Sequence, residues 1–341
     1  MSRLPLGVLG FGRLGKLHAM NIQDSANADL VAVCDWNPAA LDRAYHYGVD
    51  LTTDLDYFLS LPIEGVVIAS PTHMHQAHIQ AVARAGKAIF TEKPVGLSMV
   101  ETDAVLQEVV NAGVPFQIGF QRRWDPRYRK AKEVIESGEI GTPVLFKAYG
   151  RDPSASNPAN WGLDKNGGIF LNCAIHDFDA ARYLLGQEVE EVSAVGGAVV
   201  HKGLWDIGDA DTASTTLGFS GGAMAITEWS RYASYGYEVG MEVIGTRGKV
   251  GFSSLPEEQY SGLSIHLANG GSSSVFSVFK EAFKSSIEGF ALAVEHGMET
   301  NPGVQDARAS LQIAMAARAS FQGSGITLPV SPLGMLQRRK P

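Results

Sequence analysis

Short apolar runs alternate with helix-patterned stretches through the first 120 residues, and this rhythm limits the possible folds more than any other feature of the chain. The runs lie at residues 6–10, 30–35, 65–70, 88–91 and 116–120, with a weaker one at 49–52. Between them, apolar residues recur at helical spacing over 14–24, 38–46, 54–60, 75–85 and 98–112. Strands so short and so continuously apolar are buried on both faces, and helices joining them in turn make them parallel. The pattern predicts an α/β fold, a doubly wound parallel sheet with helices on both sides.

In such a sheet, ligands gather outside the carboxyl ends of the strands, so the residues ending each run carry the most information. The first run ends in Gly10-Phe11-Gly12-Arg13-Leu14-Gly15, a GxGxxG turn. In a chain with 38 glycines, about half a chance match to that spacing is expected. Its weight comes from context, because it follows a strand and opens a helix. The first glycine permits the tight turn, the second lets a pyrophosphate approach the backbone, and the third lets the helix pack on the strand. Asp35 closes the second run, twenty residues past Gly15, where a carboxylate accepts from an adenosine ribose. Against a 2′-phosphate about 5 Å away, Asp35 costs roughly 3 kcal/mol at an effective dielectric of about 20. NAD is therefore expected rather than NADP. Arg43, further on, is expected to point outward from its helix.

The run at 88–91 ends abruptly in Glu92-Lys93-Pro94, a buried strand delivering an acid, a base and a proline. Lys93 is a candidate reacting group, since a lysine pKa falls readily on partial burial or beside another cation. A loop lysine paired to Glu92 is the plainer reading. After the run at 65–70 comes Ser70-Pro71-Thr72-His73-Met74-His75. Ser70 and Thr72 suit both helix capping and contacts to a nicotinamide ribose, and His75 is expected to cap or touch the cofactor. His73, His75 and His78 lack the acid or cysteine that would complete a metal set.

Beyond residue 120 the rhythm changes. A helix is expected over 127–136 and a strand at 144–149. Alternation then dominates at 192–200, 212–219, 223–230, 237–244 and 249–252. This reads as an α+β domain with a large open-faced, mainly antiparallel sheet. Helices are expected at 280–296 and 304–322, with a flexible loop at 270–274. The change of pattern divides the chain into domains at 1–122 and 123–341. Within the second, residues 167–179 as a helix place Asn172, His176 and Asp179 at i, i+4 and i+7, one polar stripe beside an apolar face. A histidine there suits proton transfer near neutral pH; a buried, satisfied histidine is the plainer alternative. Cys173 lies about 60° from His176 around a helix, but no fourth zinc ligand follows.

Composition narrows the partners. A net charge of −8 argues against a nucleic-acid surface, and the basic tail at 337–340 is too short to change that. Cys34 and Cys173 are the two cysteines, which excludes a disulfide framework and suits a reducing cytoplasm. No apolar run approaches about 18 residues, so no membrane span is expected. The apolar start reads as a strand, not a signal peptide.

Together these features resemble the Gfo/Idh/MocA oxidoreductase family. The resemblance rests on Gly10–Gly15, Asp35, the Glu92-Lys93-Pro94 triplet, and the segment from Gly167-Gly168 to His176-Asp177-Phe178-Asp179. Within the family the likeness is greatest to inositol 2-dehydrogenases. The residues that carry it are Gly119–Asp125, Arg151-Asp152-Pro153, and Ser230-Arg231 followed by Tyr235-Gly236-Tyr237-Glu238 and Val243-Ile244-Gly245. The resemblance implies a Rossmann domain binding NAD and an open-faced sheet carrying the polyol and the contacts of a homo-oligomer, a tetramer. It makes Lys93 the substrate-activating lysine and His176 the proton acceptor, with Asn172 beside it. Arg122, Asp152, Tyr235 and Tyr237 would line the polyol site, and Glu92 and Gln121 would join the cofactor contacts. One departure stands out: inositol dehydrogenases of the family usually carry an aspartate where this chain has Asn172. An amide still hydrogen-bonds a hydroxyl but shares no charge with His176, which becomes a weaker base. The expected activity is oxidation of a ring secondary alcohol of a cyclitol. The alternatives are a monosaccharide or glycoside dehydrogenase, and a non-catalytic NAD-binding regulator.

Overall fold

The computed structural model describes residues 3–153, 162–254 and 274–338. They form two compact units, Met1–Trp124 with Glu281–Arg308 and Gly334–Pro341, and Asp125–Lys280 with Ala309–Leu333. The division is thus not one cut near residue 122, because a later segment returns to the first unit. The returning segment supplies apolar surface. Ile287, Phe290 and Ala291 join Leu6, Val8, Ala19, Ile22 and Phe90 in one buried cluster, and Phe290 meets Phe90 edge-on with centroids 5.8 Å apart. Burying a side chain the size of Ile287 or Phe290 contributes roughly 1.5–3 kcal/mol.

The first unit runs β1 (Leu4–Leu9), α1 (Arg13–Gln23), β2 (Ala28–Cys34), α2 (Pro38–Asp42), β3 (Asp50–Thr52) and α3 (Leu55–Ser60). It continues with β4 (Gly65–Ile68), α4 (His75–Arg84), β5 (Ala88–Thr91), α5 (Met99–Ala112) and β6 (Phe116–Ile118). All six strands are parallel, in the order β3-β2-β1-β4-β5-β6. The order reverses at β1, which places the glycine turn at the topological switch point. Local chemistry sets the helix ends. Asp54 caps α3 by accepting from Asp56 and Tyr57, and Ser98 caps α5 by accepting from Glu101. The helix expected over 38–46 is shorter: α2 ends after five residues and gives way to a 3-10 turn at Tyr45–Tyr47, closed by Gly48 at φ 66°.

The second unit carries α6 (Pro126–Glu136), β7 (Pro143–Arg151), α7 (Leu163–Asn166), a π-helical turn at Phe170–Ala174, α8 (Ile175–Leu185), β8 (Val189–Gly197) and α9 (Gly203–Asp206). Then come β9 (Thr212–Phe219), β10 (Met224–Ser230), β11 (Glu238–Gly245), β12 (Lys249–Ser253) and α10 (Val275–Val278). Helix α11 (Lys280–Glu295) leads into the first unit, and α12 (Val304–Gln322) and β13 (Leu328–Pro329) close the chain's regular structure. Seven strands order as β12-β11-β7-β10-β9-β8-β13. Every pairing is antiparallel except β7 with β10. Alternation sorts the two faces: Phe146, Ala148, Ala225, Trp229 and Leu217 are buried, whereas Met224 and Ile226 are 46% and 38% exposed. The loop expected at 270–274 lies outside the described residues except for Ser274, which caps α10. Among the described residues, no helix is long and apolar enough to cross a membrane.

Candidate active site

The glycine turn is closed against the protein and open at one point. Gly10 has φ 94° and lies so close to Ser70 that any Cβ would strike its backbone. A Cβ on Gly15 would collide with the Gly10 carbonyl, whereas one on Gly12 would meet nothing within 4 Å. Gly12 is the N-cap of α1 and no side chain caps it, so the amides of Arg13 and Leu14 begin a helix whose N-terminus favours an anion. Asp35 is buried; its Oδ2 accepts from the Phe11 amide at 2.6 Å and its Oδ1 from the Asn37 amide at 2.8 Å. A carboxylate offers about four acceptor positions, which leaves room for ribose hydroxyls. Arg43 is exposed at the end of α2.

Beyond β4, Ser70 is held from two sides by α4. Its carbonyl lies 2.8 Å from His75 Nε2, and its hydroxyl contacts His78 Nδ1 at 2.8 Å. Pro71 is exposed, and Thr72 opens a 3-10 turn. His75 is deeply buried, and its second nitrogen lies 2.7 Å from the Pro94 carbonyl. Met74 holds the N-cap of α4, so the cap or cofactor contact expected of His75 gives way to two contacts with protein carbonyls. Burial drives the His75 pKa below its ordinary value, against the two carbonyls that favour the cation. Burial, with His75 and His73 adding to it, lowers His78 to about 4.

Glu92 and Lys93 follow β5, joined to Pro94 by a cis peptide bond. Glu92 is buried and paired with His18, Nε2 to Oε1 at 2.8 Å, in a space that Gly119 keeps clear. Lys93 is half-buried. Gln121 and Arg122, both buried, sit in the 3-10 turn after β6.

In the second unit, two left-handed glycines, Gly167 at φ 80° and Gly168 at φ 77°, turn the chain into the loaded segment. Its first amide, on Ile169, donates to Asp209 Oδ1 at 2.9 Å, and Asp209 Oδ2 accepts from Arg231 at 2.9 Å. The uniform α-helical stripe expected here is corrected by the structure. The π turn ends at Ala174, so the i→i+5 geometry resets the helix between Asn172 and His176. Asn172 and His176 are both half-buried, whereas Asp179 is fully buried and accepts from Ser310 at 3.5 Å. Three residues past His176, Asp179 stands about 60° aside, enough to turn it inward. Asp177 is buried too, accepting from the Trp229 indole.

Around this segment, Cys173 Sγ approaches Asp152 Oδ2 at 3.7 Å. The Asp152 backbone is fixed by Ser230 and Ala233. Tyr235 donates to Glu238 at 2.8 Å, and burial together with that bond pushes its phenol up to about 12. Tyr237 is buried with its ring edge toward Phe279. Among the described residues, no group of three or more His, Cys, Asp or Glu side chains could hold a metal ion. His18 and Asp209 escape sequence reasoning; Arg231 enters it with the resemblance, but its buried pairing with Asp209 does not. His18 leaves a trace in the sequence, as a polar residue, with Asn21, among the small and apolar buried residues Gly15, Ala19 and Ile22 of α1.

A model of the oxidoreductase family with an NAD-binding Rossmann fold matches residues 4–120, and a model of the GFO/IDH/MocA C-terminal domain matches residues 128–251. The chain belongs to the Gfo/Idh/MocA family. Inositol 2-dehydrogenase of Rhizobium meliloti (strain 1021) is 38% identical, over 91% of this chain and 94% of that protein. The scyllo-inositol 2-dehydrogenase (NAD(+)) of Bacillus subtilis (strain 168) is also 38% identical, over 92% and 93%. The solved scyllo-inositol dehydrogenase from Lactobacillus casei, with bound cofactor NAD(H) and scyllo-inositol, superposes with a TM-score of 0.85 at 30% identity, covering 96% of this chain and 99% of that one. As a Gfo/Idh/MocA member the chain is an NAD-dependent oxidoreductase. Its open Gly12, uncapped α1 and two-sided Asp35 carboxylate fit that cofactor.

Proposed function

We propose that this Gfo/Idh/MocA member oxidises a ring secondary alcohol of a cyclitol to the ketone, with Lys93 and His176 acting on one hydroxyl. The likeness to a solved relative holding both NAD(H) and scyllo-inositol carries the reading. Partial exposure of both Lys93 and His176, each beside buried neighbours, supports it. Oxidation removes a hydride from carbon and a proton from oxygen. NAD, when bound, accepts the hydride. His176 takes the hydroxyl proton as general base, and the Lys93 ammonium stabilises the developing alkoxide by hydrogen bond. Asn172 donates or accepts at a neighbouring hydroxyl, and Arg122, Asp152, Tyr235 and Tyr237 line the polyol side.

The same reading assigns self-association to the open face of the seven-stranded sheet, and the alignment of Ile244, Leu145 and Met224 across three strands supports it. The activity is tested with purified protein, NAD and NADP in parallel, and a panel of myo-, scyllo- and chiro-inositol beside aldoses, following nicotinamide absorbance. Reduction of NAD with an inositol supports the assignment. Turnover confined to aldoses moves it to sugars, and no turnover on any substrate leaves a nucleotide-binding regulator.

A further inference from the structure

We infer that His18 and His75 are positioning residues for Lys93, each buried ring holding one of the two residues that flank it in the chain. The inference rests on the assignment of Lys93 to hydroxyl activation and concerns how that group is held. Lys93 carries its charge on a flexible four-carbon stem, so the backbone at 92–94 determines where the ammonium can reach.

On one side, α1 brings His18 to Glu92, with Nε2 2.8 Å from Oε1 and both side chains buried. His18 Nδ1 meets no hydrogen-bond partner among the described residues. The ring lies edge-on to Phe90 and Phe283, with centroids 5.3 and 6.0 Å away. A carboxylate so desolvated stays only where a polar partner compensates it, and His18 fixes that place. The same helix starts at the glycine turn, so cofactor turn and lysine strand share one connection. On the other side, α4 brings His75 to Pro94, with Nδ1 2.7 Å from the carbonyl, while Nε2 lies 2.8 Å from the Ser70 carbonyl. A neutral imidazole has one N–H and donates to one carbonyl at a time. The buried ring spans the gap between the residue after Lys93 and the turn that follows β4, and the tautomer that donates to Pro94 is the one that holds the lysine strand. Reacting groups work within about 0.5 Å of their productive place, and a shift of about 1 Å costs on the order of a hundredfold in rate.

Amide side chains separate the two ring nitrogens, since glutamine places its amide near Nε2 and asparagine near Nδ1. His18→Gln keeps the Glu92 contact, whereas His18→Phe keeps only the ring packing. His75→Asn keeps the Pro94 contact, whereas His75→Gln keeps the Ser70 contact. Steady-state kinetics, NADH affinity and thermal melting are measured for all four variants, with Lys93→Ala beside them. His18→Phe and His75→Gln are expected to lose about tenfold or more in kcat, with KM for NAD and NADH affinity within about threefold. His18→Gln and His75→Asn are expected to stay within about threefold of wild-type kcat. Equal kcat in the two members of each pair overturns the inference, and if His18→Phe does not fold the His75 pair decides alone. Full turnover by Lys93→Ala would instead remove the lysine assignment itself, a result distinct from any outcome of the histidine pairs.

Discussion

Asn172 stands where the family resemblance leads one to expect an aspartate, and the consequence of an amide there is electrostatic. An aspartate there would favour the imidazolium of His176. In Asn172→Asp the acid limb of kcat/KM is therefore expected to move to higher pH. An unmoved profile with unchanged substrate preference would contradict the pairing of residue 172 with His176. His78 gives a second test through stability. Burial holds its pKa near 4 in the folded chain, against 6.5 for the free group. As pH falls, the unfolded chain therefore binds the proton first. Stability is fully present above about 6.5 and drains between 6.5 and about 4. The Tm of His78→Asn should fall less over that window than the wild-type Tm; parallel curves would rule out His78 as the titrating group. Lys93 and Asp35 could be singled out in the sequence because each follows the end of an apolar run, and His176 because it falls in a polar stripe at helical spacing. His18 could not, because a buried partner for Glu92 is decided 74 residues away in the chain.

At the scale of elements, β3, Asp50-Leu51-Thr52, left only a weak signal, whereas the central parallel strands β1, β4 and β5 were legible because each is a short apolar run. The π turn was not. Leu171, Ala174, Ile175 and Phe178 keep the apolar spacing of an α-helix while the hydrogen bonding widens beneath them. The parallel pairing of β7 with β10 was hidden for another reason, since partners 79 residues apart, such as Leu145 and Met224, leave no local signal. What fixes the π segment is the buried pair of Arg231 and Asp209, 2.9 Å apart, with Asp209 also holding the Ile169 amide. Breaking such a pair costs about 3–5 kcal/mol because the remaining charge loses its counter-charge. Asp209→Asn should destabilise the protein by about 3 kcal/mol in urea unfolding and lower kcat through the displaced His176. A loss below about 1 kcal/mol would show that the pair is not what anchors the segment.

For the whole molecule, the return of Glu281–Arg308 to the first unit was beyond sequence reasoning, because an apolar helix stripe says that a helix packs but not on what. The open sheet face was legible from alternation. It exposes Met224 and Ile226 on one side of β10 while Ala225, Thr227 and Trp229 are buried on the other. If that face joins copies of the chain, Ile226→Asp should lower the sedimenting mass toward that of a monomer. An unchanged mass would place self-association elsewhere. The joint action of Lys93 and His176 on one hydroxyl is tested most directly by single-turnover NAD reduction in Lys93→Ala, His176→Ala and the double variant, with NADH binding as control. Each single variant is expected to lose on the order of a hundredfold or more while still binding NADH, and the double to lose little beyond the worse single, as residues acting as a unit do. Wild-type rates in either single variant, or losses that simply multiply in the double, would contradict it.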